Sequence, residues 1–236
     1  MKARSALLAI PLLLSCTNLT ETTNAVVQLQ VLAPLITLVE VSDTTRVFAR
    51  ALDRAGNEVP APIEWLSPDT TLSVDSTGLV TSLITGTGRV QARTGTLVSN
   101  LINFTLIPRP DTLVLVGEDT LRVLVGQGSS PQLVARLDTF EGGDTLPASA
   151  GQIIYQVVDP VFPDPSQRTV EFSGQVLIDT ATTGSNGLPT IPVLLNRVAG
   201  TTTPDSAIVE IRAFRFQGTD SVPGSGQRFI IRFDNQ

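Results

Sequence analysis

Cys16 is the only cysteine of a 236-residue chain that contains no histidine, and Lys2 is its only lysine. A thiolate can serve as nucleophile or metal ligand, and an imidazole or amine can activate a Ser or Thr hydroxyl. Without His, neither a Ser-His-Asp nor a Cys-His arrangement can be assembled, and imidazole-ligated zinc is excluded. The single Lys, near the N-terminus, leaves the rest of the chain without Ser-Lys or Schiff-base chemistry. Carboxylates remain. Two Asp or Glu flanking a glycosidic bond would suffice for hydrolysis, but Asp53, Asp69, Asp75, Asp138, Asp159, Asp164 and Asp179 are scattered through segments that read as turns. An acid in a turn usually accepts from its own backbone or keeps a sheet edge soluble. Gly126-Gln127-Gly128-Ser129 has no helix to follow it, so it makes no phosphate cradle. No catalytic residue is assigned, and no enzyme is expected.

Calcium is the one cofactor to weigh. It takes six to eight oxygens, and no Asp-x-Asp-x-Asp-Gly loop is present; Asp111, Glu118 and Asp119 could contribute two or three ligands near a domain join. Solvated turn acids are the simpler account, so no metal or cofactor residue is assigned.

The N-terminus explains what Cys16 is for. Met1-Lys2-Ala3-Arg4 carries two positive charges, and a short apolar stretch, 6–14, leads to Ser15. This is the layout of a secretory signal. The stretch is well short of the roughly 20 residues of a spanning helix, and Pro11 interrupts it. Leu13-Leu14-Ser15-Cys16 resembles the lipobox of bacterial lipoproteins, with Leu14 where a smaller residue is commoner. The resemblance implies a signal peptide over 1–15, cleavage before Cys16 and a diacylglycerol on its sulfur. Buried acyl chains contribute about 0.8 kcal/mol per methylene, enough with two or three chains for a stable hold on a bilayer. Loss of 1–15 leaves 14 basic against 22 acidic residues, a formal charge of −8. An acidic surface without a basic cluster argues against a nucleic-acid partner.

These residues must be carried by a folded mass. Segment 16–25 is polar and small and is expected to be a tether. Beyond it, apolar runs of three to eight residues, rich in Val, Ile, Leu and Thr, alternate with Gly, Pro, Asp and Asn, which predicts an all-β chain. With 42% hydrophobic residues and a mean hydropathy of +0.22, a substantial core is available. Strands are predicted at 26–32, 35–41, 45–52, 63–66, 72–74, 79–82, 88–93 and 97–107. Spacings near ten residues suggest a β-sandwich.

Ile63-Glu64-Trp65-Leu66-Ser67-Pro68-Asp69, Val74-Asp75-Ser76-Thr77-Gly78-Leu79-Val80-Thr81 and Gly86-Thr87-Gly88-Arg89-Val90-Gln91-Ala92 resemble the signatures of group 2 bacterial immunoglobulin-like domains. Gly88 stands where that family usually has Ala, and Ser42 where it usually has Gly. Pro108-Arg109-Pro110-Asp111 reads as a stiff join, with one domain at 26–108 and another at 109–236. In the second, strands are predicted at 112–116, 121–125, 132–137, 152–158, 169–172, 176–179, 190–196, 206–214 and 228–233. Val134-Ala135-Arg136-Leu137-Asp138 echoes Phe48-Ala49-Arg50-Ala51-Leu52-Asp53, and Val209-Glu210-Ile211-Arg212-Ala213 echoes Val90-Gln91-Ala92-Arg93. This copy lacks the Trp and the Val-Asp-x-x-Gly segment; residues 179–187, Pro192-Val193-Leu194-Leu195 and residues 205–213 resemble the closing half of invasin-type bacterial immunoglobulin-like domains.

The expected fold is therefore all-β, two tandem immunoglobulin-like β-sandwich domains after a signal peptide and short polar tether. Trp65 and Tyr155 are expected in cores, whereas Phe162, in the Pro-stiffened run 160–165, could meet a partner or fold back as a lid. The family resemblance implies an adhesion, binding or spacer module of the cell envelope. Its partners would be a membrane, through lipid on Cys16, and an unidentified protein or glycan. Thr17 lacks the Asp associated with inner-membrane retention, which favours the outer membrane. The alternatives are a periplasmic accessory subunit of an outer-membrane or secretion assembly, binding by edge-strand addition, and a carboxylate-based glycan-active enzyme.

Overall fold

The computed structural model describes residues 25–141, 143–202, 204–216, 218 and 220–234. The signal segment, Cys16 and nearly all of the tether lie outside them. The first eleven strands are β1 (Gln28–Leu32), β2 (Leu38–Glu40), β3 (Thr44–Arg46), β4 (Phe48–Leu52), β5 (Glu58–Val59), β6 (Glu64–Leu66), β7 (Leu72–Val74), β8 (Leu79–Ser82), β9 (Gly86–Thr94), β10 (Leu97–Val98) and β11 (Ile102–Ile107). After the join come β12 (Thr112–Leu115), β13 (Thr120–Val123), β14 (Ala135–Glu141), β15 (Asp144–Pro147), β16 (Gln152–Asp159), β17 (Val170–Glu171), β18 (Ile178–Thr182), β19 (Asn196–Arg197), β20 (Ser206–Ala213) and β21 (Arg228–Phe233). A single 3₁₀ turn, Pro165–Gln167, is the only helical element among the described residues.

Strands pair within β1–β11 and within β12–β21, and among the described residues no pairing crosses between the two sets. In the first set, β1-β4-β5 and β3-β8-β7 lie opposite β10-β9-β11-β2, with β6 also on β9. In the second, β12-β14-β15 faces the five-stranded sheet β13-β21-β20-β16-β18. Inward residues at alternate positions fill the space between layers: Val47, Val80, Val90 and Phe104 in one case, Leu137, Tyr155, Ile211 and Phe229 in the other. Each set thus encloses its own core, and the chain is all-β, with two sandwiches in tandem.

Both sandwiches divide their first strand between layers. β1 runs antiparallel to β4 and the chain then crosses, so that β2 runs parallel to β11. β12 likewise pairs antiparallel with β14 before β13 pairs parallel with β21. A first edge strand that serves both sheets, closing against the last strand, is an immunoglobulin-like arrangement.

The repeat extends to positions that the second sequence obscures. Trp65 on β6 lies opposite Ala92 on β9, and Tyr155 on β16 lies opposite Ile211 on β20. Tyr155 therefore fills the place of the absent Trp. The Val-Asp-x-x-Gly turn also has a counterpart. Asp75 N donates to Leu79 O and Gly78 N to Asp75 O, while Gly184 N donates to Leu188 O and Gly187 N to Gly184 O. The acceptor differs: Leu79 N uses Asp75 Oδ1, whereas Leu188 N uses Asn186 Oδ1. Gly78 in the first turn and Gly187 in the second are left-handed, and their carbonyls accept from the facing chain, from Val47 N in one and Leu137 N in the other. A Cβ on Gly78 would fall on Val47 O, and one on Gly187 on Leu137 O, so Gly is required at both.

Several strand limits differ from expectation. The strand at 45–52 is interrupted at Val47, whose N–H turns to Gly78 O, leaving β3 and β4 in separate ladders. Of 190–196 only Asn196 is in a strand. Pro192 removes a donor, and the segment instead accepts from the chain near Pro131 through Leu133 N to Val193 O and Ser130 N to Leu195 O. Trp65 is only half-buried, wedged between the two clusters of the first core. Phe162 packs on the second core, and its neighbour Val161, 77% exposed, is the outward residue of that loop.

Candidate functional site at the join of the sandwiches

The acids that the sequence scattered stay scattered. Asp53 accepts from Ala55 N and Asn57 N (2.9 and 2.8 Å), Asp75 from Thr77 N and Leu79 N (2.7 and 3.0 Å), Asp164 from Ser166 N (2.9 Å) and Asp179 from Thr180 N (2.8 Å). Not all of them are turn acids, since Asp138, Asp159 and Asp179 lie on β14, β16 and β18. Asp69 forms a two-pronged bond to Arg89 (2.9 Å each), and Asp138 lies buried on β14 beside Arg136 (2.8 Å). Asp159 lies at the end of β16 before a cis peptide bond to Pro160. Among the described residues no three His, Cys, Asp or Glu side chains gather as a metal site. Of the residues weighed for calcium, Asp111 turns to arginines, and Asp119 accepts from the hydroxyl of Thr120 (3.0 Å).

Polar groups do converge where the sandwiches meet. From the first comes a turn of residues 40–43, closed by Asp43 N donating to Glu40 O (3.0 Å), with Val41 N tied to Ile107 O (3.0 Å). Ser42 takes a φ of 72°, a left-handed conformation that strains a residue with a Cβ. From the second come residues 214–216, after β20, and 220–221, before β21, bridged at Phe214 and Ser221, with Arg215 N donating to Asp220 O (3.1 Å).

Glu40 is the centre of the contact. Its side chain ends β2 and is only 2% exposed; Oε1 accepts from Phe216 N at 2.6 Å, and Oε2 has no hydrogen-bond partner among the described residues. Burial pushes its carboxyl up from 4.5 to about 7; the Phe216 N–H and Arg109 oppose that shift, while Asp43 and Asp111 add to it. Asp111 gathers the neighbouring charge. Its Oδ1 lies 3.7 Å from Arg109 and 3.8 Å from Arg215, and its Oδ2 accepts from Phe140 N (2.9 Å) and Thr139 Oγ1 (3.3 Å).

Clefts open around this contact. One of about 320 Å³ is lined by Ser42, Arg109, Phe140 and Leu146, another of about 380 Å³ by Glu40, Asp43, Arg215 and Asp220. Acids and guanidinium groups so placed can hold charge and exchange a proton. Sequence reasoning missed Glu40, Arg215 and Phe216. One signal was there to read: Glu40 is the only ionisable residue in the apolar run Leu35-Ile36-Thr37-Leu38-Val39-Glu40-Val41.

No family model matches the chain, and no curated protein matches it. Among solved structures, the Yersinia pseudotuberculosis adhesin InvE is similar over 84% of this chain at 16% identity and a TM-score of 0.40. This chain spans 57% of that adhesin structure. Domains 4 and 5 of the S-layer protein SbsC are similar over 89% of this chain and 99% of their own (17% identity, TM-score 0.33), and Rst D1-D2 over 88% and 99% (10%, 0.39). Likenesses this loose fix neither ligand nor function.

Proposed function

We propose that this chain is a non-catalytic, lipid-anchored protein of the cell envelope, in which two immunoglobulin-like domains, 26–108 and 109–236, serve adhesion, binding or spacing. The observation that carries this reading is the set of side chains available beyond Cys16: no His, no Lys and no second Cys. The acids are consistent with it, since their partners are backbone donors, a hydroxyl or arginines rather than one another. Cys16 is then a lipidation site, the polar 16–25 a tether, and the outer membrane the expected location. No cofactor is assigned.

Protease treatment of intact cells tests the display role. Loss of both sandwiches under conditions that spare a periplasmic marker is expected. Survival until the outer membrane is opened would contradict display at the surface and favour the accessory-subunit reading. One feature favours that second reading: β15, at the edge of its sheet, is exposed at all four residues and could accept a partner strand.

A further inference from the structure

We propose that Glu40 is a protonation-dependent latch between the two sandwiches, holding the segment of residues 214–216 after β20 against the turn of residues 40–43 when neutral and releasing it when ionised. The geometry isolates this carboxyl. It is buried and, among the described residues, receives one donor, from 176 residues away, and has no partner on its second oxygen. A buried carboxylate needs two or three donors, or a close cation, to hold its charge comfortably.

The charged groups around it do not supply that. Asp43, on the same turn, adds a like charge. From the join, Arg109 favours ionisation while Asp111 opposes it. From the second sandwich come Arg215, which turns towards Asp111, and Asp220, which lines the same cleft as Glu40. Burial wins, and the carboxyl titrates near 7. Once the segment lifts away, Glu40 meets water and returns to the ordinary carboxylate range.

The sign of the linkage follows. The latched state binds the proton more tightly, so latching is fully favoured below about 4.5 and is lost as pH rises through about 7. A shift of this size changes the latched-to-released ratio on the order of a hundredfold. The proton passes to solvent, and the backbone and both cores stay intact.

Amide hydrogen exchange of the full-length protein, corrected for intrinsic rates, reads the latch directly at Phe216. Between about pH 5 and about pH 8 its protection is expected to fall on the order of a hundredfold, while that of β20 stays constant. In Glu40→Gln, Phe216 should stay protected at both pH values. Constant protection in the native chain, or an equal fall in the variant, would overturn the proposal. If the variant does not fold, a carbon-13 titration of the Glu40 carboxyl in the native chain decides alone: a midpoint near 7 supports the latch, and one in the ordinary carboxylate range overturns it.

Discussion

Trp65 and Tyr155 occupy the same place in the two sandwiches, Trp65 facing Ala92 and Tyr155 facing Ile211 across equivalent strand pairs. Tyr155 is fully buried whereas Trp65 is only partly buried, so the two should differ in cost. Tyr155→Ala is expected to destabilise the second sandwich by about 4 kcal/mol and Trp65→Ala the first by about 2 kcal/mol. Urea denaturation followed by circular dichroism measures both. Equal costs would mean that the two rings do not anchor their cores in proportion to burial.

The turn glycines give a sharper contrast. Gly78→Ala and Gly187→Ala combine a left-handed backbone with a Cβ against a facing carbonyl, and each should cost about 3 kcal/mol. Gly56 is equally left-handed but has open space around it, so Gly56→Ala should cost only about 1 kcal/mol. Thermal melts of the three variants test this, and a Gly56 variant as unstable as the others would refute the close-approach argument.

Much of this was legible in the residues, and what was not has physical causes. The strands at 72–74, 79–82 and 228–233 match the observed limits because clear alternation meets Asp- or Gly-rich turns. The turn at Gly184 was not matched to the one at Asp75 because Asn186 replaces Asp75 as the side-chain acceptor, so identical backbone bonds carry different letters. Tyr155 was not matched to Trp65 because equivalence is set by cross-strand register, which no local pattern displays. Glu40 stands out as a charge in an apolar strand, but its partner Phe216 is brought to it only by the docking of two sandwiches.

Ser42 offers a gain of stability. Its φ of 72° is unfavourable for a residue with a Cβ, and Gly would relieve that at some cost in unfolded-state entropy. Ser42→Gly should stabilise the first sandwich by about 0.5–1 kcal/mol. A lower melting temperature for this variant would mean that the Ser side chain matters more than the strain.

Stability should fall on both sides of an acidic optimum. Asp53 is held below its ordinary range first by the Asn57 N–H, Asp69 by Arg89 and Asp75 by the Thr77 hydroxyl. Their contributions are present above about 3.8 and lost as pH falls through their folded values. Glu40 is opposite in sign: its contribution is present below about 4.5 and lost as pH rises through about 7. Calorimetric melting temperatures should therefore be highest near pH 5, and Glu40→Gln should flatten only the limb towards neutral pH. A variant whose acid limb changes instead would contradict these assignments.

The central claim is that Cys16 is spent on lipid and that the rest of the chain is scaffold and binding surface. Mass spectrometry of the mature protein, alongside fractionation of a Cys16→Ser variant, tests it most directly. The expected result is an N-terminal, acylated Cys16 and a variant lost from the membrane fraction. An unmodified thiol at Cys16, or a Ser variant that stays with the membrane, would contradict it.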